Sequence, residues 1–414
     1  MLKDIEIRNF KSLKHLKYKC AKLNLLTGLN GSGKSSFIQA LRFIKAFSKE
    51  SGGGVSSRTS VDLYGESLQI GTYRDLLYCH AGPKRAQRVA SIAAASIESP
   101  LPVTLEIQPS PSAYRGTYMD EAKAFVRFVE GDLSTSALRN WLSSKKLCTD
   151  QKFIERSDLL MEALRDVSIS NYLSADRGSP HSIHSFSSEM STTFGADGRD
   201  AVSQLTHWWG LVLDPWACRT DCKSEFLIDQ LDAWLNVVSP GAHVEFKRIP
   251  ELSTVALSYS YGTGKGVMKF RPQNVGFGLS YVLPMLIVLL TAHPGDSIVL
   301  ENPEAHLHPR GQAEIGKLLA QVAGAGIQLF VETHSDHVIN GIRVVVKDKV
   351  VKPEDVNIAF FERGEHVISE DTHVPKTEIY SSERDIKIDG KGSLSEYPDG
   401  FLDEWGNQLM ELLR

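Results

Sequence analysis

Apolar residues near the N-terminus form two short runs, and a helical pattern follows them. The runs Ile5–Asn9 and Leu23–Thr27 predict two strands, and the polar segment Lys11–Lys22 between them predicts a hairpin connection. From Ser35 onward, apolar residues recur every three or four positions, which predicts a helix of about three turns. The chain therefore opens with a strand, a Gly-rich turn and a helix.

An alternation of strands and helices returns toward the C-terminus. Apolar runs predict strands at Ser297–Glu301, Ile327–Glu332 and Asn357–Glu362, and helical periodicity predicts helices at Arg310–Val322 and Asp336–Val346. Strands that alternate with helices are typical of a parallel sheet with helices packed on its faces. This pattern predicts an α/β fold.

The middle of the chain has a different pattern. Ser48–Ser60 is rich in Gly and Ser and predicts a flexible connection, whereas residues 89–128 contain short alternating stretches that predict an antiparallel sheet. Helical spacing over Leu133–Val167 and Ala201–Val237 predicts an inserted helical part. We expect its packing anchors to be four tryptophans, Trp208, Trp209, Trp216 and Trp234.

Composition narrows the class of protein. The 414 residues, 42% of them hydrophobic, are enough for one elaborate domain or for two lobes. Lys and Arg total 46 against 50 Asp and Glu, so no general positive field draws the chain to nucleic acid or to anionic membranes. The five scattered cysteines favour neither a disulfide framework nor a paired zinc site, and they fit a reducing cytoplasm.

No apolar stretch reaches the roughly 20 residues that a membrane-spanning helix needs. The longest, Tyr281–Ala292, is too short and contains Pro284. The N-terminus has charged residues where a signal peptide has an apolar core. We therefore expect a soluble, cytoplasmic protein that does not contact the membrane.

The Gly-rich turn between the second strand and the first helix has the spacing of a phosphate-binding loop. Gly28–Ser35 fits G-x-x-x-x-G-K-S, and it lies between a strand and a helix, as this loop requires. Backbone N–H groups and the helix N-terminus would hold the phosphates of ATP, Lys34 would reach the terminal phosphates, and Ser35 would bind Mg²⁺. The predicted nucleotide-binding residues are Asn30, Gly31, Ser32, Gly33, Lys34, Ser35 and Ser36.

A second group of polar residues follows the predicted strand Ser297–Glu301. Glu301, Asn302 and Glu304 stand at its end, which is the Walker B arrangement for positioning Mg²⁺ and the attacking water. His334 ends the next predicted strand, where it would bond the γ-phosphate or its water. We interpret Glu301 as a metal ligand and all four residues as catalytic.

Four segments together resemble the RecF/OLD-type ATPases of the ABC superfamily, which are related to the SMC proteins. The segments are IEIRNFKSL, GLNGSGKSS, ENPEAHLHP and VETHSDHVIN. The resemblance is particularly to a compact bacterial type whose chains end in a segment like Tyr397–Asp403. The sequence shows neither heptads for coiled-coil arms nor a Toprim-like acidic cluster. The resemblance implies an ABC-type ATPase head with a P-loop parallel sheet, an antiparallel β subdomain and an inserted helical lobe.

The resemblance also implies a homodimer with ATP at its interface, and it leaves open whether these dimers assemble into a higher oligomer. In such dimers, nucleotide on one subunit's P-loop is capped by a signature segment of the other. The corresponding segment here is Asn274–Ser280, in which Gly276 and Gly278 are the expected nucleotide contacts.

The Walker B segment departs from the family pattern of Asp-Glu-Pro. Glu301-Asn302-Pro303 places an amide where the family has its catalytic Glu, and an amide cannot take a proton from water. Three interpretations stay open: Glu304 is the base, Asn302 only orients the water, or ATP acts mainly as a dimerisation clamp. We expect slow hydrolysis.

Two weaker sites each have a competing interpretation. Gln69 occupies the position of a Q-loop, where it would bind Mg²⁺, although a loop without function fits as well. Arg177 resembles an arginine that lies near the nucleotide or the dimer seam in related ATPases, and its alternative is a surface salt bridge. Cys218 and Cys222 are interpreted as packing residues, and a His80 dyad with Cys79 has no support.

These observations predict three parts: an N-terminal ATPase lobe (1–132), a mainly helical insertion (133–270) and a C-terminal ATPase lobe (271–414). The leading hypothesis is an ATP-switched dimer that acts with an effector protein, a nuclease or toxin, in bacterial anti-phage defence. The alternative is a RecF-like DNA-repair ATPase that binds DNA through the Lys-rich Asn9–Lys19 segment. A transporter subunit fits least.

Overall fold

The computed structural model describes residues 1–50, 59–65, 68–79, 89–98, 102–109, 123–129, 156–185, 194–222, 224–262, 267–369 and 376–413. The predictions made for residues 51–58, for His80 and for residues 133–155 lie outside this part of the chain. The chain divides into two compact units. Unit 1 comprises Met1–Ala21, Thr27–Ile169 and Ala359–Asp385, and unit 2 comprises Lys22–Leu26, Ser170–Ile358 and Ile386–Arg414.

The strands are β1 (Leu2–Phe10), β2 (Leu13–Lys19), β3 (Leu23–Gly28), β4 (Thr59–Asp62), β5 (Ala90–Ser96), β6 (Val103–Pro109), β7 (Lys123–Val129), β8 (Asn171–Leu173), β9 (Ile183–Ser185), β10 (Ala242–Ile249), β11 (Thr254–Tyr261), β12 (Lys269–Phe270), β13 (Ser297–Glu301), β14 (Gln328–Glu332), β15 (Val356–Ser369) and β16 (Lys376–Ile386). The helices are α1 (Lys34–Glu50), α2 (Tyr73–Leu76), α3 (Arg156–Val167), α4 (Ala201–Gln204), α5 (Leu227–Val238), α6 (Phe277–Leu290), α7 (Pro309–Gly324), α8 (Asp336–Lys347) and α9 (Glu404–Leu412).

Unit 1 contains a six-stranded sheet of order β2-β1-β5-β6-β7-β4, and its pairings are antiparallel. This sheet confirms the antiparallel strands predicted between residues 89 and 128. The segment Lys11–Lys22 is more than a hairpin connection, because it contains β2. Leu16 and Tyr18 are buried on one face of the strand, Leu13 at its start is also buried, and the lysines between them are exposed.

Helix α1 is longer than the sequence pattern predicts. It has 17 residues and continues to Glu50, into the segment interpreted as a flexible connection. Its apolar stripe is fully buried and includes Phe37, Leu41, Ile44 and Phe47. Residues 48–50 continue the helix beyond Phe47, the last residue of this stripe.

Unit 2 contains the parallel strands that the α/β pattern predicts. β14 pairs with β3 on one side and with β13 on the other, and β13 pairs with β8, all in parallel. Ser297–Glu301 is found with the predicted bounds, and the helices that follow β13 and β14 differ from prediction by at most two residues at either end. The predicted α/β class with parallel and antiparallel sheets is confirmed.

Residues 201–237 are helical only at their two ends, in α4 and α5. Residues 205–222 and 224–226 form turns and short extended stretches, since Gly210 and Pro215 interrupt the helical pattern and proline cannot donate a backbone hydrogen bond. Of the four tryptophans, Trp234 is buried, and its indole N–H donates to the Ala217 carbonyl oxygen at 2.9 Å. A second sheet of unit 2, β10-β11-β12 with β9 beside β11, follows in the same part of the chain.

The compact units have other boundaries than the three predicted parts, because β3 and β15 each contribute residues to both units. The division at residues 132 and 270 stays a prediction. Within the described ranges, no helix has both the length and the apolar character that crossing a membrane requires.

Helices α7 and α8 touch through their backbones in unit 2. A Cβ on Gly316 would overlap the Val338 carbonyl oxygen, and a Cβ on Gly341 would overlap the Ala313 carbonyl oxygen. Only glycine allows this approach. The contact fixes how the helices that follow β13 and β14 pack together.

We predict that Gly316→Ala lowers the free energy of unfolding by about 1–3 kcal/mol, because the added methyl group forces α7 and α8 apart. The midpoint of thermal unfolding measures this effect. Gly406→Ala in α9 is the matched control, because nothing lies within 4 Å of its Cβ position. An unchanged midpoint for Gly316→Ala would contradict the close helix contact.

Candidate functional site

The Gly-rich loop of unit 1 connects β3 to α1 and turns back on itself. Gly31 has a φ of 75°, a left-handed conformation that glycine adopts without strain, and its Cβ position is open. Gly28 has a φ of 126°, and a Cβ there would overlap the Phe361 carbonyl oxygen. The loop is therefore packed closely where it leaves β3 and open at Gly31, where a phosphate can approach its backbone.

Lys34 begins α1, and its ammonium group folds over the loop. The side chain is 3% exposed, and Nζ donates to the carbonyl oxygens of Gly28 at 2.8 Å and Leu29 at 2.9 Å. Both partners are neutral carbonyls, so a phosphate oxygen is a stronger acceptor for this ammonium. The lysine is thus preset at the loop with weak partners to exchange.

The serines of the loop have three different environments. The Ser32 hydroxyl is buried without a hydrogen-bond partner among the described residues. Ser36 shares a 3.0 Å hydrogen bond with Ser12, whereas Ser35 is exposed at the first turn of α1. An orphaned buried hydroxyl and an open glycine turn fit the phosphates of a nucleotide, and the Ser35 hydroxyl fits Mg²⁺.

Gln69 and Asn30 are also exposed in unit 1. Gln69 has a φ of 52°, and its backbone N–H donates to the Gly65 carbonyl oxygen at 3.0 Å. The structure therefore holds Gln69 in a tight turn with its side chain toward solvent.

In unit 2, the ends of β13 and β14 stand level with each other. Glu301 is the register partner of Glu332, and the Asn302 N–H donates to the Glu332 carbonyl oxygen at 2.9 Å. The two loops that leave these strands therefore start side by side. This register brings Glu301, Asn302, Glu304 and His334 into one cluster.

The carboxylate of Glu301 is held toward the neighbouring strand β8. One oxygen accepts from the Tyr172 hydroxyl at 3.0 Å, and the other accepts from the Ala175 N–H at 3.1 Å. Each oxygen keeps a lone pair free, so a hydrated cation can still bind. Tyr172 and Ala175 fix the orientation of this carboxylate.

The carboxylate of Glu304 is held toward the end of β14. It accepts from the Thr333 hydroxyl and from the His334 backbone N–H, both at 2.9 Å. Ser335 then caps α8 by accepting from the Val338 N–H, and its hydroxyl donates to Gln312 at 2.6 Å. Glu304 thus orders the loop that presents His334.

Asn302 differs from its two acidic neighbours. Its backbone has a φ of 45°, a left-handed conformation that Asn and Asp tolerate better than most residues. Within the described ranges, no hydrogen bond reaches its side-chain amide. Asn302 is therefore the residue of this strand end whose polar side chain is not committed to the fold.

Arg177 lies inside unit 2, 5% exposed, and joins two of the segments that carry the site. Its guanidinium donates to the carbonyl oxygen of Tyr281 at 2.9 Å and to that of Glu301 at 3.0 Å, and it lies over the Tyr281 ring. Burial lowers the pKa of this guanidinium to about 10, although the nearby Tyr281, Glu304 and Glu301 act to raise this pKa. Arg177 connects α6 to the end of β13.

The two glycines of the predicted signature segment have opposite environments. Gly276 precedes α6, is exposed, and has nothing within 4 Å of its Cβ position. A Cβ on Gly278 would lie 2.5 Å from the His306 carbonyl oxygen. The His306 ring in turn packs against Tyr281 at 4.7 Å and against Phe277 at 5.9 Å. Gly278 therefore serves the packing of its own chain, and Gly276 is open.

Sequence reasoning missed the residues that orient the site, chiefly Tyr172 and Thr333. Both lie near residues that the sequence singled out, since Tyr172 is five residues before Arg177 and Thr333 precedes His334. Their position at the ends of neighbouring parallel strands is the signal that points to them. Within the described ranges, no group of three or more His, Cys, Asp or Glu side chains is placed to hold a metal ion, and Cys218 and Cys222 are free thiols.

Comparisons with protein-family models match three segments of the chain. Residues 1–86 match a model described as an AAA ATPase domain. Residues 240–340 match a model whose description names an AAA domain and the AbiEii toxin of a type IV TA system. Residues 351–412 match a protein family of unknown function, DUF3696. A comparison with curated proteins found no match.

Among solved structures, three SMC heads resemble the chain weakly. The head bound to the C-winged helix domain of ScpA has a TM-score of 0.46 and 14% identity, with 92% of this chain and 98% of the other covered. The Thermotoga maritima head has a TM-score of 0.41 and 12% identity, with coverage of 94% and 99%. A head bound to the C-terminal domain of ScpA derived from Pyrococcus furiosus has a TM-score of 0.44 and 12% identity, with coverage of 100% and 99%.

The two AAA matches contain the residues that the sequence singled out. One contains the P-loop, and the other contains the signature segment, the Walker B strand and His334. Both matched models describe AAA domains, which agrees with the ATPase motifs recognised in the sequence.

We predict that Gly278→Ala lowers the thermal unfolding midpoint of the nucleotide-free chain, at a cost of about 1–3 kcal/mol, because the methyl group displaces the His306 carbonyl. Gly276→Ala, two residues away, should leave the midpoint unchanged because its Cβ position is open. Equal midpoints for the two variants would show that the His306 contact is absent.

Proposed function

We propose that this chain, an ATPase of the ABC/AAA type related to SMC, RecF and OLD proteins, is a nucleotide-switched homodimer that acts with a partner effector. It binds ATP with Mg²⁺ and hydrolyses it slowly. The observation that supports the nucleotide site most directly is the loop of unit 1, with Lys34 folded over an open glycine turn and the Ser32 hydroxyl left without a partner.

In this proposal the P-loop holds the phosphates, and three polar residues serve the cation. The N–H groups from Asn30 to Ser36 point at the phosphates, while Lys34 exchanges its carbonyl partners for phosphate oxygens. Ser35, Gln69 and Glu301 are assigned to Mg²⁺, which neutralises charge on the phosphates when it is bound. Tyr172 and Ala175 support this role for Glu301 because they fix its carboxylate.

Slow hydrolysis follows from the chemistry at the end of β13. Asn302 is the residue whose side chain is free to orient water, but an amide accepts no proton from it. Each oxygen of Glu304 already accepts a hydrogen bond from the His334 loop. We therefore assign Asn302 to orienting water, Glu304 to ordering the loop, and His334 to the γ-phosphate.

Dimerisation is assigned to the N-terminus of α6. Gly276 caps this helix, is exposed and has open space around its Cβ position. The backbone N–H groups at the start of α6 can therefore approach a phosphate of the nucleotide bound to the partner subunit. Arg177 supports the arrangement from inside, because it connects α6 to Glu301 in the same chain.

A cytoplasmic defence role with an effector protein is the broader part of the proposal. The description of one matching AAA domain names a toxin of a TA system, which supports a place among systems with a second protein component. The cysteines within the described ranges are free thiols, as a reducing compartment favours.

DNA handling is less well supported. The basic strand β2 carries exposed lysines, but Glu6 on β1 accepts a hydrogen bond from His15 and lies 3.9 Å from Lys17. Part of the positive charge is thereby neutralised within the sheet. A steep decrease of DNA affinity with salt would revive the DNA-repair alternative.

We predict that Lys34→Ala weakens ATP binding by at least about tenfold, since the charge-assisted bonds to the terminal phosphates are lost. Isothermal titration of the purified chain with ATP and Mg²⁺ measures the change. Lys49→Ala, at the exposed end of the same helix, is the control and should bind as the wild type does. Equal affinity of both variants would refute the P-loop assignment.

We predict that Asn302→Asp raises the steady-state rate of phosphate release by at least about tenfold, because it places a base where the amide orients water. Asp is chosen because it tolerates the left-handed backbone of this position. Glu304→Gln is the companion variant. A fall in rate with Glu304→Gln and no rise with Asn302→Asp would assign the base to Glu304 instead.

A further inference from the structure

The last helix of the chain, α9, exposes an apolar face. Trp405 is 76% exposed and Leu412 is 84% exposed, and Leu409 between them is exposed as well. None of the nine residues of α9 is buried. The spacing of these three side chains, i, i+4 and i+7, places them on one side of the helix.

The start of α9 is anchored to unit 2. Phe401, three residues before the first residue of the helix, is buried, and the Asp403 carboxylate accepts from the Gly400 N–H at 2.9 Å. The exposed helix therefore begins at a fixed point of the fold. A two- to three-turn helix is too short to be stable by propensity alone, so its apolar face needs a contact surface.

Acidic residues accompany this face without any basic residue. Between Gly392 and Leu413 the sequence has no Lys or Arg. The same segment carries Glu396, Asp399, Asp403, Glu404 and Glu411. The helix is thus apolar on one side, and its two acids, Glu404 and Glu411, lie together along one flank of that side.

We infer that α9 is the docking helix for a partner protein that offers an apolar groove bordered by Lys or Arg. Apolar anchors at i, i+4 and i+7 are the pattern of a helix that binds in a groove, and the acidic border requires positive charge around that groove. This inference rests on the proposed function, for which it names the surface that binds the effector.

Charge separates this partner from the other surfaces that an apolar helix can bind. Helices that lie on membranes carry Lys and Arg on their polar face, and nucleic acid also selects basic surfaces. Pairing of α9 with α9 of a second copy would bring Glu404 and Glu411 of the two chains together in the antiparallel arrangement. The acidic border therefore opposes all three.

The test begins with the full chain purified from its own host. The protein that copurifies with it is identified by mass spectrometry and is then produced separately. The affinity of the two purified proteins is measured for the wild type, for Trp405→Ala/Leu409→Ala and for Glu404→Lys/Glu411→Lys. Asn407→Ala, on the opposite side of α9, is the matched control. ATP binding is titrated in the same preparations.

We predict that the apolar double variant weakens binding by at least about 30-fold, as the loss of central anchor residues does. The charge-reversal variant should bind the partner about tenfold more weakly. Wild-type affinity should decrease as ionic strength rises, whereas the affinity of this variant should increase. Asn407→Ala should bind as the wild type, and amide hydrogen exchange in α9 should slow on binding.

Four results would overturn the inference. The chain could be recovered without a partner, or the apolar double variant could bind the partner as tightly as the wild type does. The double variant could also lose only its self-assembly, or it could lose binding to vesicles of anionic phospholipid that the wild type binds. If ATP binds normally in those cases, only the docking role fails. Failure of the wild type to bind ATP would instead remove the proposed function itself.

Discussion

The parallel register between β13 and β14 is the constraint on which the chemistry of unit 2 depends. Because Glu301 is the partner of Glu332, both strands end at the same level, and the loops that follow them start together. Glu304 then reaches the His334 loop, and Asn302 is held beside Glu332 by its own N–H. A shift of one residue in this register would separate the acids from His334 and turn the strand-end side chains to the other face.

The same strand end is tied to the rest of unit 2 by buried polar contacts. Tyr172 holds the Glu301 carboxylate from the neighbouring strand, and Arg177 holds its carbonyl oxygen while bonding to Tyr281 of α6. Gly278 allows α6 to lie against the His306 carbonyl. A change at the N-terminus of α6 is therefore connected, through Arg177 and His306, to the residues proposed to orient water.

The sequence predicted those elements whose signals are local. Ser297–Glu301 was predicted with its observed bounds because it is a continuous apolar run bounded by polar residues. Strand β2 was missed because its apolar residues, Leu13, Leu16 and Tyr18, do not alternate strictly. The helix predicted across residues 205–222 is wrong because Gly210 and Pro215 interrupt the helical pattern.

For the site, the sequence identified the residue types but could not show how each is held. The distinction between Glu304, which binds the His334 loop, and Asn302, whose amide is uncommitted, depends on strand pairing and on a left-handed backbone. The opposite environments of Gly276 and Gly278 likewise depend on where His306 lies in space. Such properties arise from tertiary contacts, which the spacing of residues along one chain does not encode.

The central claim is that nucleotide binding switches the chain between monomer and dimer. Native mass spectrometry of the wild-type protein, with ATP and Mg²⁺ and then without nucleotide, tests it most directly. The account predicts a monomer without nucleotide and, with ATP, a dimer that retains one nucleotide for each protomer. A monomer saturated with ATP, or a dimer that forms equally well without nucleotide, would contradict it.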